Sequence, residues 1–154
     1  MEVGALGIKL IKRWEGIRLT SYQDEAGLWT IGIGHRTRVN YPYSITSLEA
    51  EALLEEDLKK VSAALSAMLL TDEIEQHEFD ALGSWVFNVG EYAAKKSTLI
   101  RMLNLGEPRI EIASQFLRWN KLTLPNGEKV KSRGLTRRRE SERQLFLTGV
   151  LKFF

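Results

Sequence analysis

"KRWEGIRLTSYQDEAGLWTIGIGH" occupies Lys12 to His35 and places Glu15, Asp24, Thr30 and four glycines among bulky apolar residues. A stretch selected for packing alone avoids glycine, because each one in a regular element costs roughly 0.5–1 kcal/mol. The sequence before it, with Leu6, Leu10 and Trp14 at successive fourth positions, predicts an amphipathic helix over residues 4–15. Gly16 then stands where a helix ends in a left-handed cap. The β-forming residues of 17–35, with the turn cluster Asp24 to Gly27 in their middle, predict a hairpin.

Glu15 thus falls at a helix end, Asp24 in the turn and Thr30 in the second strand. Along one extended strand Asp24 and Thr30 would lie roughly 20 Å apart. The turn reverses the chain and permits a compact cluster, though spacing alone does not require one. Two carboxylates and a water-holding hydroxyl are the minimum equipment for glycoside hydrolysis. Glu15 is the better acid candidate, since a helix C-terminus disfavours negative charge. Asp24, in a polar turn, is the better ionised partner. Gly32 and Gly34, on the strand face shared with Thr30, would leave room for substrate to approach the backbone. Each residue also has a plain reading: a surface charge, an Asx-turn former and a β-branched strand residue.

The remainder of the chain reads as helical. Thr46 and Glu49 form a capping box that opens a long helix with Leu54, Leu58, Val61, Leu65 and Met68 as its buried stripe. Further helices are predicted over Glu75 to Val89, Ser97 to Leu105, Pro108 to Asn120 and Thr136 to Thr148, with "LPNGEKVKSRG" as a turn-rich basic loop. The fold class is α+β. One domain, 1–154, has a β lobe over about 17–45 and a helical lobe over about 46–154 that includes the N-terminal helix. A cleft between lobes is the usual place for a site.

Composition narrows the function. With 44% apolar and 27% charged residues, the 154-residue chain has ordinary globular composition. Lys and Arg number 22 against 20 Asp and Glu, a +2 surplus too small to argue for nucleic acid. The charges segregate, however: Thr71 to Asp80 carries only acids, while Arg118 to Arg143 is mostly basic. A basic face suits a polyanionic partner such as the bacterial cell wall. Nothing places aromatics for base stacking, which leaves a nucleic-acid module as the weakest reading. There is no cysteine, and His35 and His77 lack zinc-ligand spacing, so neither a disulfide nor a metal or other cofactor is expected. No apolar run approaches the ~20 residues of a membrane span, and the first residues lack a signal-peptide core. Synthesis as a soluble cytoplasmic protein without a membrane anchor is expected.

"E-G", "Y-x-D-x-x-G" and "W-T-I-G-I-G-H" in succession closely resemble the phage-type lysozymes of glycoside hydrolase family 24. The family spacing of Glu, eight residues, Asp, five residues, Thr is met at Glu15, Asp24 and Thr30. The likeness continues at "ITSLEAEALLEEDL", "FDALGSWVFNVGE", "STLIRMLN", "RWNK" and "GLTRRRESERQLFLTG".

This resemblance implies a lysozyme-like fold. It also implies hydrolysis of the peptidoglycan bond between N-acetylmuramic acid and N-acetylglucosamine. Glu15 would be the general acid, with Asp24 and Thr30 holding the water, and the outcome would be inversion. Gly32, Asn88 and Arg138 are implied as substrate-binding positions, with Arg138 against Glu15. His35 is implied to pair with Asp57 in a structural role. A monomer released through a separately made membrane pore, a holin, is the implied route to the wall if a phage encodes the chain. A catalytically dead wall-binding relative and a lytic transglycosylase are the alternatives. The intact Glu15, Asp24 and Thr30 argue against the first, and a water-holding pair would be superfluous in the second.

Overall fold

In the computed structural model, which describes residues 1–154, α1 (Ala5–Glu15) buries Gly7, Leu10 and Ile11 against the helical body. Its N-cap is Gly4, which has no side chain to satisfy the first N–H groups. A buried carboxylate does so instead: Asp80 Oδ1 accepts from Gly4 N at 2.7 Å and Oδ2 from Gly7 N at 3.2 Å. A negative charge there also complements the helix dipole. Gly16 ends the helix, its N–H donating to the Lys12 carbonyl at 3.0 Å. Glu15 is therefore the last residue of an element fixed at both ends.

Three antiparallel strands follow in the order β1 (Arg18–Gln23), β2 (Trp29–Gly32), β3 (His35–Arg36). The register sets Tyr22 opposite Thr30 and Thr30 opposite Arg36. The predicted hairpin is present, and β3 extends it by a strand too short to leave a periodic signal. Ile31 and Ile33 are buried.

The helix α2 (Ser47–Met68) opens with both halves of the Thr46–Glu49 capping box in place. Leu54, Leu58, Leu65 and Met68 are buried, whereas Val61 is only half-buried. At the centre lies α3 (Gln76–Val89), whose nine consecutive residues Glu78 to Val86 are all buried. A helix buried on every side belongs to a core. It packs α1 on one side and α7 (Arg133–Thr148) on another. Trp85 on α3 meets Phe116 and Trp119 edge-on at 6.1 and 5.4 Å, and Phe116 meets Phe146 of α7 at 5.6 Å.

Between α3 and α7 the structure departs from the sequence reading. A short α4 (Glu91–Lys95) precedes α5 (Thr98–Asn104). The expected helix to Asn120 is α6 (Arg109–Ser114) continued by a 3-10 turn (Gln115–Arg118), which tightens the chain and delivers Trp119 to Trp85. The "LPNGEKVKSRG" segment is no open loop, since β4 (Lys121–Thr123) pairs with β5 (Lys129–Lys131) around a turn closed by Gly127 N to Leu124 O at 2.8 Å. The helix α7 starts three residues before the expected Thr136, because Ser132 caps it by accepting from Leu135 N at 3.2 Å. No helix is long and apolar enough to cross a membrane.

Candidate active site

A cavity of about 1020 Å³ is lined by residues of both the sheet and the helical region, including Glu15, Tyr22, Asp24, Asn88, Trp119 and Arg138. The turn after β1 supplies Asp24, the end of α1 supplies Glu15, and α3 and α7 supply Asn88 and Arg138.

Glu15 is held from two sides. Arg138 Nη1 donates to its Oε1 at 2.6 Å, and the glutamate side chain retains 18% exposure. On the other side is Gly34, in the left-handed region at φ +69°, where an added Cβ would lie 2.8 Å from both Glu15 Cδ and Oε2. The expected role of Gly34, admitting substrate, is thus corrected: the missing side chain makes room for Glu15.

Arg138 is itself buried. Its Nε donates to Glu142 Oε1 at 3.3 Å and its Nη2 to the Ser84 carbonyl at 3.3 Å. Ser84 Oγ donates to the same Glu142 oxygen at 2.8 Å. Arg139 continues the chain: its Nη2 donates to Asn88 Oδ1 at 2.7 Å. Its Nε faces Glu142 Oε2 at 2.9 Å, an ion pair by distance without hydrogen-bond alignment. Burial pushes Arg139 down to about 10, opposed by Glu142 and reinforced by Arg138. Glu15, Arg138, Glu142 and Arg139 alternate in sign, so each buried charge has an opposite neighbour, as burial demands.

Asp24 sits among donors only. Its Oδ1 accepts from Ala26 N at 3.0 Å and Leu28 N at 2.9 Å, holding the turn. Its Oδ2 accepts from Arg36 Nη1, which also lies 3.4 Å from Thr30 Oγ1. The Thr30 hydroxyl donates to Leu28 O at 3.1 Å. Thr30 is buried, with 4% of its surface exposed, and of these three residues Asp24 and Arg36 line the cavity. Tyr22, cross-strand from Thr30, has its phenol pushed up, first by burial and then by Glu15, with a smaller push from Asp24; Arg18 and Arg36 oppose the shift.

Other sequence-predicted positions fall as follows. His35 Nδ1 lies 2.7 Å from Asp57 Oδ2, joining β3 to α2, and neither lines the cavity. Asn88 lines the cavity, with its oxygen engaged by Arg139. Gly32 does not: it is buried, and an added Cβ would meet Ala50 Cβ at 3.4 Å and Ile45 Cδ1 at 3.5 Å. Its expected substrate contact is replaced by packing against α2. Arg36, Arg139 and Glu142 went unread. Glu142 carried one signal, its helical i+4 spacing from Arg138.

The phage lysozyme family model matches residues 12–142. The endolysin of Acyrthosiphon pisum secondary endosymbiont phage 1 is 40% identical over 146 residues, covering 95% of this chain and 98% of its own. Among solved structures, the endolysin from Escherichia coli O157:H7 phage FAHEc1 superposes with a TM-score of 0.86 at 36% identity, covering 99% of this chain and 97% of its own. The muramidase domain of SpmX from Asticaccaulis excentricus superposes with a TM-score of 0.82 at 36% identity, covering 96% of this chain and 98% of its own.

Proposed function

The chain belongs to the phage lysozyme family, and from that premise we propose how its residues divide the work. It is a glycoside hydrolase acting on bacterial peptidoglycan. The bond cut is the β-1,4 linkage from N-acetylmuramic acid to N-acetylglucosamine. Glu15 donates its proton to the leaving glycosidic oxygen as the C1–O bond breaks. A water on the opposite face, held by Asp24 and Thr30, forms the new C1–O bond and passes its proton to Asp24. Attack from that face inverts C1, a geometry that needs the carboxyls about 6.5–9.5 Å apart. Solvent then takes the proton from Asp24 and reloads Glu15.

The observation that carries this reading is that Glu15 and Asp24, from different elements, open on one cavity. Arg138 engages Glu15 Oε1, and Oε2 has no protein partner, so Oε2 is the oxygen that carries the proton. Arg138 also pairs with Glu142, which holds the guanidinium in place against Glu15. Asn88 meets the glycan through its amide nitrogen, since its oxygen serves Arg139. The His35–Asp57 pair braces β3 against α2 and takes no chemical part. The chain works as a monomer and, if a phage encodes it, reaches the wall through a separately made pore.

Clearing of outer-membrane-permeabilised Gram-negative cells tests the assignment. Glu15→Gln keeps an acceptor for Arg138 but has no proton to give, and is expected to lose about three orders of magnitude. Undiminished clearing by this variant refutes Glu15 as the acid.

A further inference from the structure

The proposed reaction gives Asp24 and Thr30 one water to hold, yet no hydrogen bond joins them. Asp24 Oδ1 is spent on the turn, accepting from Ala26 N and Leu28 N, so Oδ2 alone remains for chemistry. Thr30 has given its proton to Leu28 O, so it presents only acceptor capacity to the site. Two acceptors cannot hold one another. Apart from a shared donor, they are linked only through the Leu28 backbone, whose N–H serves Asp24 Oδ1 and whose carbonyl accepts from Thr30.

Arg36 is that donor. It is the direct cross-strand partner of Thr30, so the β2–β3 register delivers its side chain to this spot. Its Nη1 donates to Asp24 Oδ2 and lies 3.4 Å from Thr30 Oγ1. The planar guanidinium suits this task, because its N–H directions are fixed relative to one another. Arg36 also lines the cavity, with its side chain half exposed. We infer that Arg36 is a positioning residue for hydrolysis: it sets the spacing and aim of Asp24 and Thr30, leaving their remaining lone pairs for the water. This rests on the reading of Asp24 and Thr30 given above.

The test is a kinetic cycle on soluble peptidoglycan fragments. Arg36→Met is expected to lower kcat about 10²-fold, the cost of a misplacement near 1 Å, with KM within about threefold. Arg36→Lys, which keeps a cationic donor, recovers part of that loss. In an Asp24→Asn background Arg36→Met changes kcat little, because the group it acts through is already disabled. An unchanged kcat overturns the inference, as does a loss confined to KM, or an equal loss in both backgrounds. A gain in kcat also overturns it, since Nη1 would then be blocking the water's place. If the parent itself does not cut, the functional reading falls first. A crystal structure of Arg36→Met still decides the contact without turnover: Asp24 turned away from Thr30 supports it, and an unmoved carboxylate refutes it.

Discussion

Substituting Gly34 by alanine separates the geometry of Glu15 from the stability of the fold. Two costs arise, and they read out differently. The first is backbone strain: φ is +69°, where an L side chain costs about 1–2 kcal/mol. In a chain of this size that lowers Tm by roughly 2–8 °C. The second is local. The new methyl would lie 2.8 Å from Glu15 Cδ and Oε2, against about 3.5–4.0 Å for ordinary contact. The glutamate is the flexible partner, so its carboxyl must retreat by roughly 1 Å, away from the glycosidic oxygen that the proposed reaction has it protonate. A displacement of that size costs about 10²-fold in rate. Gly16→Ala is the control. It is strained too, at φ +63° and ψ −166°, a region nearly reserved for glycine, but nothing lies within 4 Å of its Cβ. Both variants would be compared by thermal melts and by turbidity clearing at a temperature where both are folded. Gly16→Ala should melt earlier and clear at near-parent rate, whereas Gly34→Ala should melt earlier and clear about 10²-fold slower. Equal clearing by the two would refute the claim that Gly34 makes room for Glu15.

Arg138→Met leaves Glu15 without its partner and Glu142 with only Arg139 and Ser84, and denaturant titration should show a loss of about 1.5–3 kcal/mol. His35→Asn should cost about 1 kcal/mol by the same titration while leaving specific activity unchanged; a folded but inactive variant would contradict the bracing role. Tyr22 gives a pH signature: its folded phenol titrates above the unfolded value of 10.0, so the unfolded chain releases that proton first as pH rises. This contribution is fully present below pH 10 and is lost above it, and Tyr22→Phe should flatten the alkaline decline of Tm.

The legible parts of the molecule were those whose cause is local in the chain. Thr46 and Glu49 are three residues apart and define one helix start, and Asp24 to Gly27 closes one turn, so both could be read directly. Arg138 and Glu15 are separated by 123 positions, and no periodicity links them; only family likeness pointed to the pair. Gly34 was misread for the same reason, since what fills the space beside it comes from another element. The β4–β5 ladder hid behind its lysines: Lys121, Lys129 and Lys131 surround a single apolar pair, Leu122 with Val130, too short to register as alternation. The buried pairing of Arg139 with Glu142 inverts the usual expectation that charge faces solvent.

Mass spectrometry of the sugar ends left on purified peptidoglycan tests hydrolysis by Glu15 most directly. The account predicts reducing N-acetylmuramic acid ends, one water heavier than the anhydro form, appearing with the parent and absent with Glu15→Gln. Anhydro ends, or reducing ends that persist in that variant, would contradict it.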